Sequence, residues 1–586
     1  MIDRMNELTQ HRRHDTDLFL QKVAGDISAR REAENNVSAS IGAERNMYAY
    51  VPRSGCPHPK QCQVLMVLRS GSDEASAREV MERLELDKLA EEKNFLLLFP
   101  NPGPDGWNYT ADPARENDMD YLIRCFGVLK GSDLGVSGFN GMVFYLADTP
   151  EASALMMTMA ATKPLYVSAM VIGAFPEGYH IPADALGVET AAMVCGNPEA
   201  AEYLKKANGI SSTEEFDGIT LHRGTNPNTR LLLTDRTPDP QLLATAWDRF
   251  LSETRRWHND THGCYQKRTN FTEKGFTAHV KDTSLGCNNG HPQTWYEYIP
   301  PQLRGTNEKV PLLFYFHGGG CVPLYGAEQS DWHEIADREG FIVVYPEASQ
   351  RNMWNAWNDT ENLDHSDQAF FLALIDHMKT VHPIDESRIY VSGFSMGGMM
   401  SNAMACSLPD VVAAAAPCNA FNEGYFSSFH SLMNRKNNKT YDPSEIAKDK
   451  PTPIRMEADE KKAAFDYQMP IFQTSGLIDG PWPIVNAEDS RMHTFLYWRK
   501  YDHLDTTPTV ADPAYESGLV ADENFYDGED ARFLHHRWRN AEGVSLYELF
   551  LAKRCPHALD IRTTTFAWEF LKKFSRNSDG TLNIAK

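Results

Sequence analysis

The sequence predicts an α/β protein made of two tandem domains, each built on a mostly parallel sheet. At 586 residues, the chain is too long for one core of ordinary size. Apolar runs of strand length alternate with helical segments, a pattern that favours parallel sheets. This order occurs twice, which indicates a duplicated domain. We expect a helical lead-in over residues 1–40, a first domain over 41–258 and a second domain over 270–580.

The second half shows the alternation most clearly. Residues 311–320 form an apolar run that ends in a glycine-rich loop, which predicts a buried strand. Residues 331–340 have the pattern of a helix, and residues 341–348 predict the next buried strand. Strand, helix and strand in this order predict a parallel sheet.

The first half repeats these elements at nearly constant spacing. The corresponding strand, helix and strand are predicted at residues 63–72, 86–94 and 95–102. Phe95 recurs as Phe341, 246 residues later, and Tyr145 recurs as Tyr390, 245 residues later. Constant spacing of this kind indicates a duplication with small changes in the loops.

Composition and charge exclude some classes of partner. The chain has 80 acidic and 57 basic residues, a net charge of -23. Nucleic-acid binding draws its affinity from basic side chains that neutralise phosphates, so we expect no nucleic-acid partner. We see no apolar run of transmembrane length and no secretory signal core at the N-terminus, and therefore expect a cytoplasmic protein without a membrane partner.

The ten cysteines lack zinc-type CxxC pairs, so we expect no metal and mostly buried thiols. Two pairings stay open in case the chain is exported: Cys56 with Cys62, or Cys287 with Cys321.

Residues 385–406 contain the pattern of a nucleophile elbow. A short β-branched strand leads into Gly393-Phe394-Ser395-Met396-Gly397, and a helix of small residues follows. This is the G-x-S-x-G motif in the strand, turn and helix context that the motif requires in α/β-hydrolases. The sequence therefore predicts Ser395 as a nucleophile.

A second glycine-rich segment predicts an oxyanion hole. His317 and three glycines follow the apolar strand, where this fold places a backbone N–H that binds the intermediate's oxygen. We assign one donor to the amide of Met396 and the other to Gly319 or Gly320, with Cys321 as an alternative. His317 is expected to order this loop and is counted, with Trp482 and Trp357, among the substrate-binding residues.

The acid and the base should follow the serine in the order Ser, acid, His. Residues 470–484 predict a strand whose following turn carries Asp479, and residues 545–561 predict another strand whose loop presents His557. His557 would be the general base and Asp479 its partner. Competing residues lie outside such strand ends: His535, His536, Asp512 and Asp522.

Four segments of the second half resemble the polyhydroxybutyrate depolymerase and feruloyl esterase group of α/β-hydrolases. The segments are HGGG (317–320), WHEIADREGFIVVYPE (332–347), IDESRIYVSGFSMGGMM (384–400) and SGLIDGPWP (475–483). The resemblance covers about residues 270–575. It implies ester hydrolysis by a Ser-His-Asp triad without metal or organic cofactor. The implied substrates are hydroxycinnamoyl or acetyl esters of plant polysaccharide fragments, or hydroxyalkanoate oligomers.

The chain departs from this group in two respects. Family members are commonly exported, and the absence of a visible signal favours small, imported substrates. In the first half, Pro150 is predicted at the place of Ser395, Arg69 at that of His317 and Asp239 at that of His557. The first domain is therefore expected to be an inactive copy that supports or covers the active one.

Aromatic side chains are candidates for the substrate pocket. Trp332, Trp354, Trp357 and Trp482 lie in or beside the predicted active-site loops, and Trp482 and Trp357 are the preferred walls. The leading hypothesis is a serine carboxylesterase acting on a small-molecule or oligomeric ester. A serine peptidase of the same fold and a non-enzymatic binding or scaffold protein are the alternatives. The oligomeric state stays open.

Overall fold

The computed structural model divides the chain into two compact units, Met1–Arg268 and Thr269–Lys586. It describes residues 18–23, 45–53, 62–129, 138–349, 353–358, 365–420, 452–480, 482, 490–506, 515–560 and 562–585.

The N-terminal unit is built on a ten-stranded sheet with helices between its strands. The sheet strands are β1 (Phe19–Val23), β2 (Arg45–Tyr50), β3 (Cys62–Leu68), β4 (Leu96–Pro100), β5 (Gly138–Ala147), β6 (Ala169–Ile172), β7 (Ala192–Cys195), β8 (Ile210–Phe216), β9 (Ile219–Gly224) and β10 (Arg230–Thr234). The helices are α1 (Glu74–Arg83), α2 (Leu86–Lys93), α3 (Asp118–Leu129), α4 (Pro150–Thr162), α5 (Pro198–Asn208) and α6 (Pro240–Arg249), with 3₁₀ turns at Pro164–Tyr166 and Leu251–Glu253. A small hairpin joins β11 (Arg256–Trp257) and β12 (Cys264–Tyr265).

The C-terminal unit contains a second ten-stranded sheet. Its strands are β13 (Thr277–Asp282), β14 (Gln293–Tyr298), β15 (Val310–Phe316), β16 (Ile342–Pro346), β17 (Ile384–Phe394), β18 (Ala414–Cys418), β19 (Ile471–Gly476), β20 (Glu523–Asp527), β21 (Phe533–Arg539) and β22 (Ser545–Ala552). The helices are α7 (Phe271–Lys274), α8 (Pro323–Ser330), α9 (Trp332–Glu339), α10 (Asp367–Val381), α11 (Met396–Ser407), α12 (Pro453–Ala464), α13 (Ser490–Tyr501) and α14 (Thr563–Leu571), with 3₁₀ turns at Asn288–Gly290, Pro301–Leu303 and Glu529–Ala531. The hairpin of β23 (Phe574–Arg576) and β24 (Leu582–Ile584) ends this unit.

The two large sheets have the same strand order. It is β1-β2-β4-β3-β5-β6-β7-β10-β9-β8 in the first and β13-β14-β16-β15-β17-β18-β19-β22-β21-β20 in the second. In both, the central strands are parallel and the strands at each edge are antiparallel. The predicted fold class, two tandem α/β-hydrolase-like domains with mostly parallel sheets, is confirmed.

The two cores also repeat a stacked aromatic pair. Phe95 stacks on Trp247 with ring centroids 3.8 Å apart, and Phe341 stacks on Trp568 at 3.9 Å. All four side chains are buried. The last α-helix of each large unit, α6 in the first and α14 in the second, is thus fixed by the same contact.

The N-terminal lead-in differs from the expectation where the structure describes it. Residues Phe19–Val23 form strand β1, which pairs antiparallel with β2, although we expected a helix. The polar residues around this segment suggested an amphipathic helix, but pairing with a sheet edge outweighs weak local propensity. The remaining parts of residues 1–40 lie outside the described residues, apart from Leu18.

Eight of the described cysteines are free thiols, and Cys287 and Cys321 are among them, so they do not pair with each other. Cys62 is disulfide-bonded; the proposed partner, Cys56, lies outside the described residues. Among the helices that the structure describes, none is long and apolar enough to cross a membrane.

Candidate active site

Ser395 lies in a strained turn between β17 and α11. Its φ of 55° and ψ of -118° lie in a region that non-glycine residues rarely adopt. The Ser395 amide donates to the carbonyl oxygen of Cys418 at 2.9 Å, which holds the turn against the end of β18. The serine side chain is therefore placed at the carboxyl edge of the sheet, where this fold places its chemistry.

The glycines around Ser395 allow three backbone segments to approach closely. A Cβ atom on Gly397 would lie 1.9 Å from the carbonyl oxygen of Phe316, and one on Gly393 would lie 2.4 Å from the oxygen of Gly397. Such distances leave no space for a side chain. The first turn of α11 thus packs directly on the end of β15, which leads into the glycine-rich loop.

Asp479 and His557 lie together at neighbouring strand ends. Nδ1 of His557 is 3.0 and 2.9 Å from the two carboxylate oxygens of Asp479. The strands that carry them, β19 and β22, are adjacent and parallel. A Cβ on Gly476 would lie 2.0 Å from the carbonyl oxygen of Cys555, so the turn after β19 touches the histidine loop directly.

The pair also lies close to the serine turn. The ring of Phe394, next to Ser395, has its centroid 4.8 Å from that of His557. No hydrogen bond joins Ser395 and His557, both of which the structure describes. Catalytic hydrogen bonds are often long without substrate and tighten in the reacting complex. Because Nδ1 faces Asp479, Nε2 is the ring nitrogen left for proton exchange.

Asn419 is a site residue that the sequence reasoning missed. Its Nδ2 donates to Oδ2 of Asp479 at 2.9 Å, and its backbone has a positive φ of 48°. Its amide N–H donates to the carbonyl oxygen of Thr474 at 2.8 Å. In the sequence, Asn419 could have been recognised by its position directly after strand β18, which ends at the same sheet edge as the serine.

The glycine-rich loop lies against the start of α11. A Cβ on Gly319 would lie 2.7 Å from Sδ of Met396, and Gly320 has a positive φ of 74°. The amide of Cys321 donates to the carbonyl oxygen of Gly318 at 3.1 Å and is thus already used in a turn. The geometry leaves Met396 with Gly319 or Gly320 as candidate donors and disfavours Cys321.

His317 does not contact solvent, which corrects its assignment to the substrate pocket. Its side chain is fully buried, with Nδ1 2.8 Å from the Gly318 carbonyl oxygen and Nε2 accepting from the Ala348 amide at 3.1 Å. The carbonyl oxygen of His317 accepts from Nε1 of Trp354 at 2.7 Å. His317 therefore orders the loop from inside the protein.

The buried carboxyl group of Asp367 anchors Ser349 and Asn355, which follow β16 in the chain. Asp367 accepts from the backbone amide of Ser349 at 3.1 Å and from that of Asn355 at 2.7 Å. Burial raises the pKa of the Asp367 carboxyl.

Cys418 is a thiol close to the serine turn. Burial raises the pKa of the Cys418 thiol to about 11, so this thiol is protonated near neutral pH and is a poor nucleophile beside Ser395.

Among the four tryptophans considered for the pocket, Trp482 keeps some exposure. Its ring lies 4.8 Å from the guanidinium carbon of Arg491 and packs beside Phe495. Trp357 is fully buried and does not line an accessible pocket, which corrects that assignment. A tryptophan in a loop near an active site can line the pocket or pack into the protein core, and its position in the sequence does not distinguish these two roles. The other two are also buried: Trp332 and Trp354.

The histidines and aspartates considered as alternatives to His557 and Asp479 have other partners where the structure describes them. His535 pairs with Glu548 at 2.6 Å, and His536 contacts Ser517 and Asn524 at 2.7 and 2.5 Å. Asp522 accepts from the backbone amide of Arg539 at 2.7 Å. Asp512 lies outside the described residues.

Strand pairing corrects the alignment of the N-terminal unit by one residue. Leu68 pairs with Ala147 as Phe316 pairs with Gly393, which places Thr149, not Pro150, at the position of Ser395. Matching Tyr145 with Tyr390 was wrong because Phe144 is the residue equivalent to Tyr390. Phe144 pairs with Leu65 as Tyr390 pairs with Leu313.

Thr149 lacks the strained geometry of the serine turn. Its φ is -133°, in the extended region, and its hydroxyl accepts from the amide of Ala152 as the cap of α4. Asp239 caps α6 and pairs with Arg236. Arg69 is buried and hydrogen-bonded to Pro100 and Asn101, so each side chain has a structural contact.

These features define, in the C-terminal unit, an α/β-hydrolase fold with a strained serine and a neighbouring histidine and aspartate pair. Residues 294–444 match the family model described as esterase PHB depolymerase. The resemblance expected from the sequence is confirmed for this part of the chain.

Curated relatives match over a limited part of the chain. A bifunctional acetylxylan esterase/xylanase from Neocallimastix patriciarum is 36% identical over 126 residues, which are 21% of this chain and 17% of that protein. Poly(3-hydroxyalkanoate) depolymerase C from Paucimonas lemoignei is 33% identical over 23% of this chain and 33% of its own length. Feruloyl esterase B from Thermothelomyces thermophilus is 36% identical over 21% and 42%. The chain thus spans less than half of the length of these three relatives.

Among solved structures, an acetyl xylan esterase from Aspergillus awamori aligns over 51% of this chain and 99% of its own, with 17% identity and a TM-score of 0.35.

Proposed function

We propose that this protein is a serine carboxylic-ester hydrolase and that Ser395, His557 and Asp479 form its catalytic triad. The observation that supports this most is the strained turn at Ser395 beside a histidine hydrogen-bonded to an aspartate at the adjacent strand ends. Strained backbone of this kind costs about 1–3 kcal/mol and is typical of functional sites. The matches to esterases by family and by curated relatives agree with the proposal.

In the proposed reaction, Nε2 of His557 takes the proton of Ser395 while its oxygen attacks the ester carbonyl carbon. The amides of Met396 and of Gly319 or Gly320 donate to the oxyanion of the tetrahedral intermediate. His557 then protonates the leaving alcohol, and the acyl group remains on the serine. Water, deprotonated by the same histidine, attacks the acyl-enzyme and releases the acid. Asp479 holds Nδ1–H and stabilises the imidazolium in both halves of the cycle.

The proposed substrates are soluble feruloyl or acetyl esters, or hydroxyalkanoate oligomers. They follow the names of the relatives, which refer to acetylxylan, feruloyl and poly(3-hydroxyalkanoate) substrates. The indole of Trp482, three residues after Asp479, is the proposed wall for the acyl or sugar group. An aromatic face suits either of these groups.

The N-terminal unit is proposed to be an inactive copy with no reaction of its own. Support comes from the relaxed backbone of Thr149 and from its hydroxyl, which already caps a helix. Pairing through the central strands matches Ala192 of β7 with Ile471 of β19. The same count along the chain places Ala200 at the position of Asp479, so no carboxylate corresponds to the acid.

The cytoplasmic location expected from the sequence stays a prediction. The disulfide bond of Cys62 favours an oxidising compartment instead, since such bonds are rare in the cytosol.

The test compares three proteins on one panel of esters. Wild type, Ser395→Ala and the matched control Thr149→Ala are assayed with p-nitrophenyl acetate and butyrate, methyl ferulate, a hydroxybutyrate trimer and a peptide anilide. We expect ester turnover in wild type and Thr149→Ala, and a loss of at least about 10³-fold in Ser395→Ala. Cleavage of the anilide in preference to every ester would favour the peptidase. A wild type as inactive as Ser395→Ala on all substrates would favour a binding protein.

A further inference from the structure

A cluster of two histidines and a glutamate lies at the first edge of the C-terminal sheet, apart from the elements that carry the proposed triad. His279 comes from the edge strand β13, Glu297 from β14 and His377 from α10. One ligand atom from each of the three lies within 4.8 Å of the others. Nε2 of His279 and Nε2 of His377 are 3.2 and 2.7 Å from Oε1 of Glu297.

From this geometry we infer a binding site for a divalent cation of the zinc class, held by His279, Glu297 and His377. Imidazole with a single carboxylate is a ligand set typical of Zn²⁺, whereas Ca²⁺ and Mg²⁺ prefer oxygen ligands alone. Bonds of about 2.0–2.2 Å in a tetrahedron separate the ligand atoms by about 3.3 Å. The separation between Nε2 of His279 and Oε1 of Glu297, 3.2 Å, is close to this value. Nε2 of His377 lies at hydrogen-bond distance from the same oxygen, 2.7 Å, and would move slightly outward to bind the ion.

The surroundings of His279 point its Nε2 at the centre of the cluster. Its ring stacks on Trp295 with centroids 4.2 Å apart and an angle of 3° between planes. Nδ1 faces Oδ2 of Asp282 at 3.2 Å, the outer carboxylate contact that metal-bound histidines commonly make. A proton on Nδ1 leaves a lone pair on Nε2, directed at Glu297.

A cation at the centre of the cluster would satisfy Nε2 of His279. Nε2 of His279 is buried, and its approach to Oε1 of Glu297 is not a hydrogen bond. Glu297 is itself 3% exposed and already accepts from Nε1 of Trp295 at 2.8 Å. In the tautomer with its proton on Nδ1, His279 presents a lone pair to this buried carboxylate, and a metal ion bound to both groups removes the repulsion.

A bulge in the edge strand brings the outer carboxylate into place. The pairing of β13 with β14 shifts register between His279 and Asp282, and Lys281 within the bulge has a positive φ of 52°. Bulges of this kind redirect side chains and are typical of functional positions. Both histidine side chains are about one-fifth exposed, so an ion can reach them from solvent.

The N-terminal unit shows that the fold does not require this cluster. Strand pairing, and position along the equivalent helix, identify the corresponding residues in that unit. They are a glutamine, an alanine and a valine: Gln21, Ala49 and Val128. The same sheet edge is therefore built without any of the three ligands. The bound ion would join β13 and β14 to α10 and stabilise this edge.

The experiment measures metal binding by the full-length chain. After chelator treatment and dialysis, wild type is titrated with Co²⁺ and, separately, with Zn²⁺, and bound metal is counted by elemental mass spectrometry. We expect one equivalent of either ion, with the intense visible absorption of tetrahedral Co²⁺ and a higher melting temperature with Zn²⁺. His279→Ala and His377→Ala should each weaken binding by at least about 100-fold, and Asp282→Asn by about 10- to 100-fold.

His503→Ala serves as the matched control, since His503 is an exposed histidine paired with one aspartate, Asp466. It should bind metal as wild type does. The inference is overturned if wild type binds no more metal than His377→Ala, or if the Co²⁺ spectrum is unchanged in Asp282→Asn and both histidine variants. Should a histidine variant fail to fold, the wild-type Co²⁺ titration and Asp282→Asn still decide the question.

Discussion

His557 and Asp479 lie 78 residues apart in sequence, and Nδ1 of the histidine is within 3.0 Å of both carboxylate oxygens. The side chain of Asp479 is 15% exposed, whereas that of His557 is 49% exposed. The pair thus consists of a sheltered acid and an accessible base. This arrangement suits a histidine that exchanges protons with substrate while its other nitrogen is held in place.

Replacing Asp479 with asparagine should reduce kcat for ester hydrolysis by about 10³- to 10⁴-fold. Asparagine can keep the geometry, but it favours the wrong histidine tautomer and removes the charge that stabilises the imidazolium. Steady-state kinetics with p-nitrophenyl acetate measures the effect. The control is Asp522→Asn, at the rival aspartate, which should keep wild-type kcat. An Asp479→Asn enzyme within tenfold of wild type would show that another acid serves His557.

Asn419→Gly should lower kcat by about 10- to 100-fold with little change in KM. A hydrogen bond to a charged group contributes about 1.5–3 kcal/mol, and here it positions Asp479. Glycine keeps the positive φ of this position, so the backbone should be unaffected. Asn419→Asp, with a second carboxylate beside the first, should be at least as impaired. Normal kcat in both variants would remove Asn419 from the positioning of the acid.

Gly397→Ala should lower the free energy of unfolding by about 3 kcal/mol or more, or prevent folding. The added methyl group would lie 1.9 Å from the carbonyl oxygen of Phe316, so backbone must move. Gly127→Ala is the control because no atom lies within 4 Å of its added Cβ; it should be neutral or slightly stabilising. Urea denaturation compares them. A Gly397→Ala protein as stable as the control would contradict the packing of α11 on β15.

The stability of the protein should fall between pH 7.5 and pH 5 in part through His536. Burial lowers the pKa of His536 to about 3, against about 6.5 in the unfolded chain. The folded state therefore binds fewer protons, so the contribution of neutral His536 is complete above about pH 6.5 and is lost progressively as pH falls towards about 3. At pH 5 the loss is about 2 kcal/mol.

Urea denaturation at the two pH values checks this contribution. His536→Gln should be less stable than wild type at pH 7.5 and should lose less stability at pH 5. His503→Gln, at an exposed histidine, should follow wild type. An equal loss in wild type and His536→Gln would contradict the assignment.

Much of the fold could be predicted from the sequence because its signals are local. Apolar runs of strand length identified the central parallel strands, and the glycines around Ser395 identified a turn that only close backbone approach explains. Asp479 and His557 could be selected because each follows an apolar strand, and parallel strands bring such ends to one edge.

The remaining features depend on contacts between distant segments. Trp357 and Trp482 look alike in sequence, but one is buried in the core and the other keeps an exposed part. The register of β5 depends on its pairing with β3, so matching Tyr145 to Tyr390 misplaced the serine position by one residue. The cluster of His279, Glu297 and His377 has no sequence motif because three separate elements supply its members.

Labelling with a fluorophosphonate tests the central claim most directly. A serine activated by His557 attacks the phosphorus and displaces fluoride, and the covalent adduct is located by mass spectrometry of peptides. We expect one adduct per chain, on Ser395, with no adduct on Thr149, and strongly slowed labelling in His557→Ala. Absence of an adduct in folded wild type, or an adduct at another residue that persists in Ser395→Ala, would contradict the proposed catalytic serine.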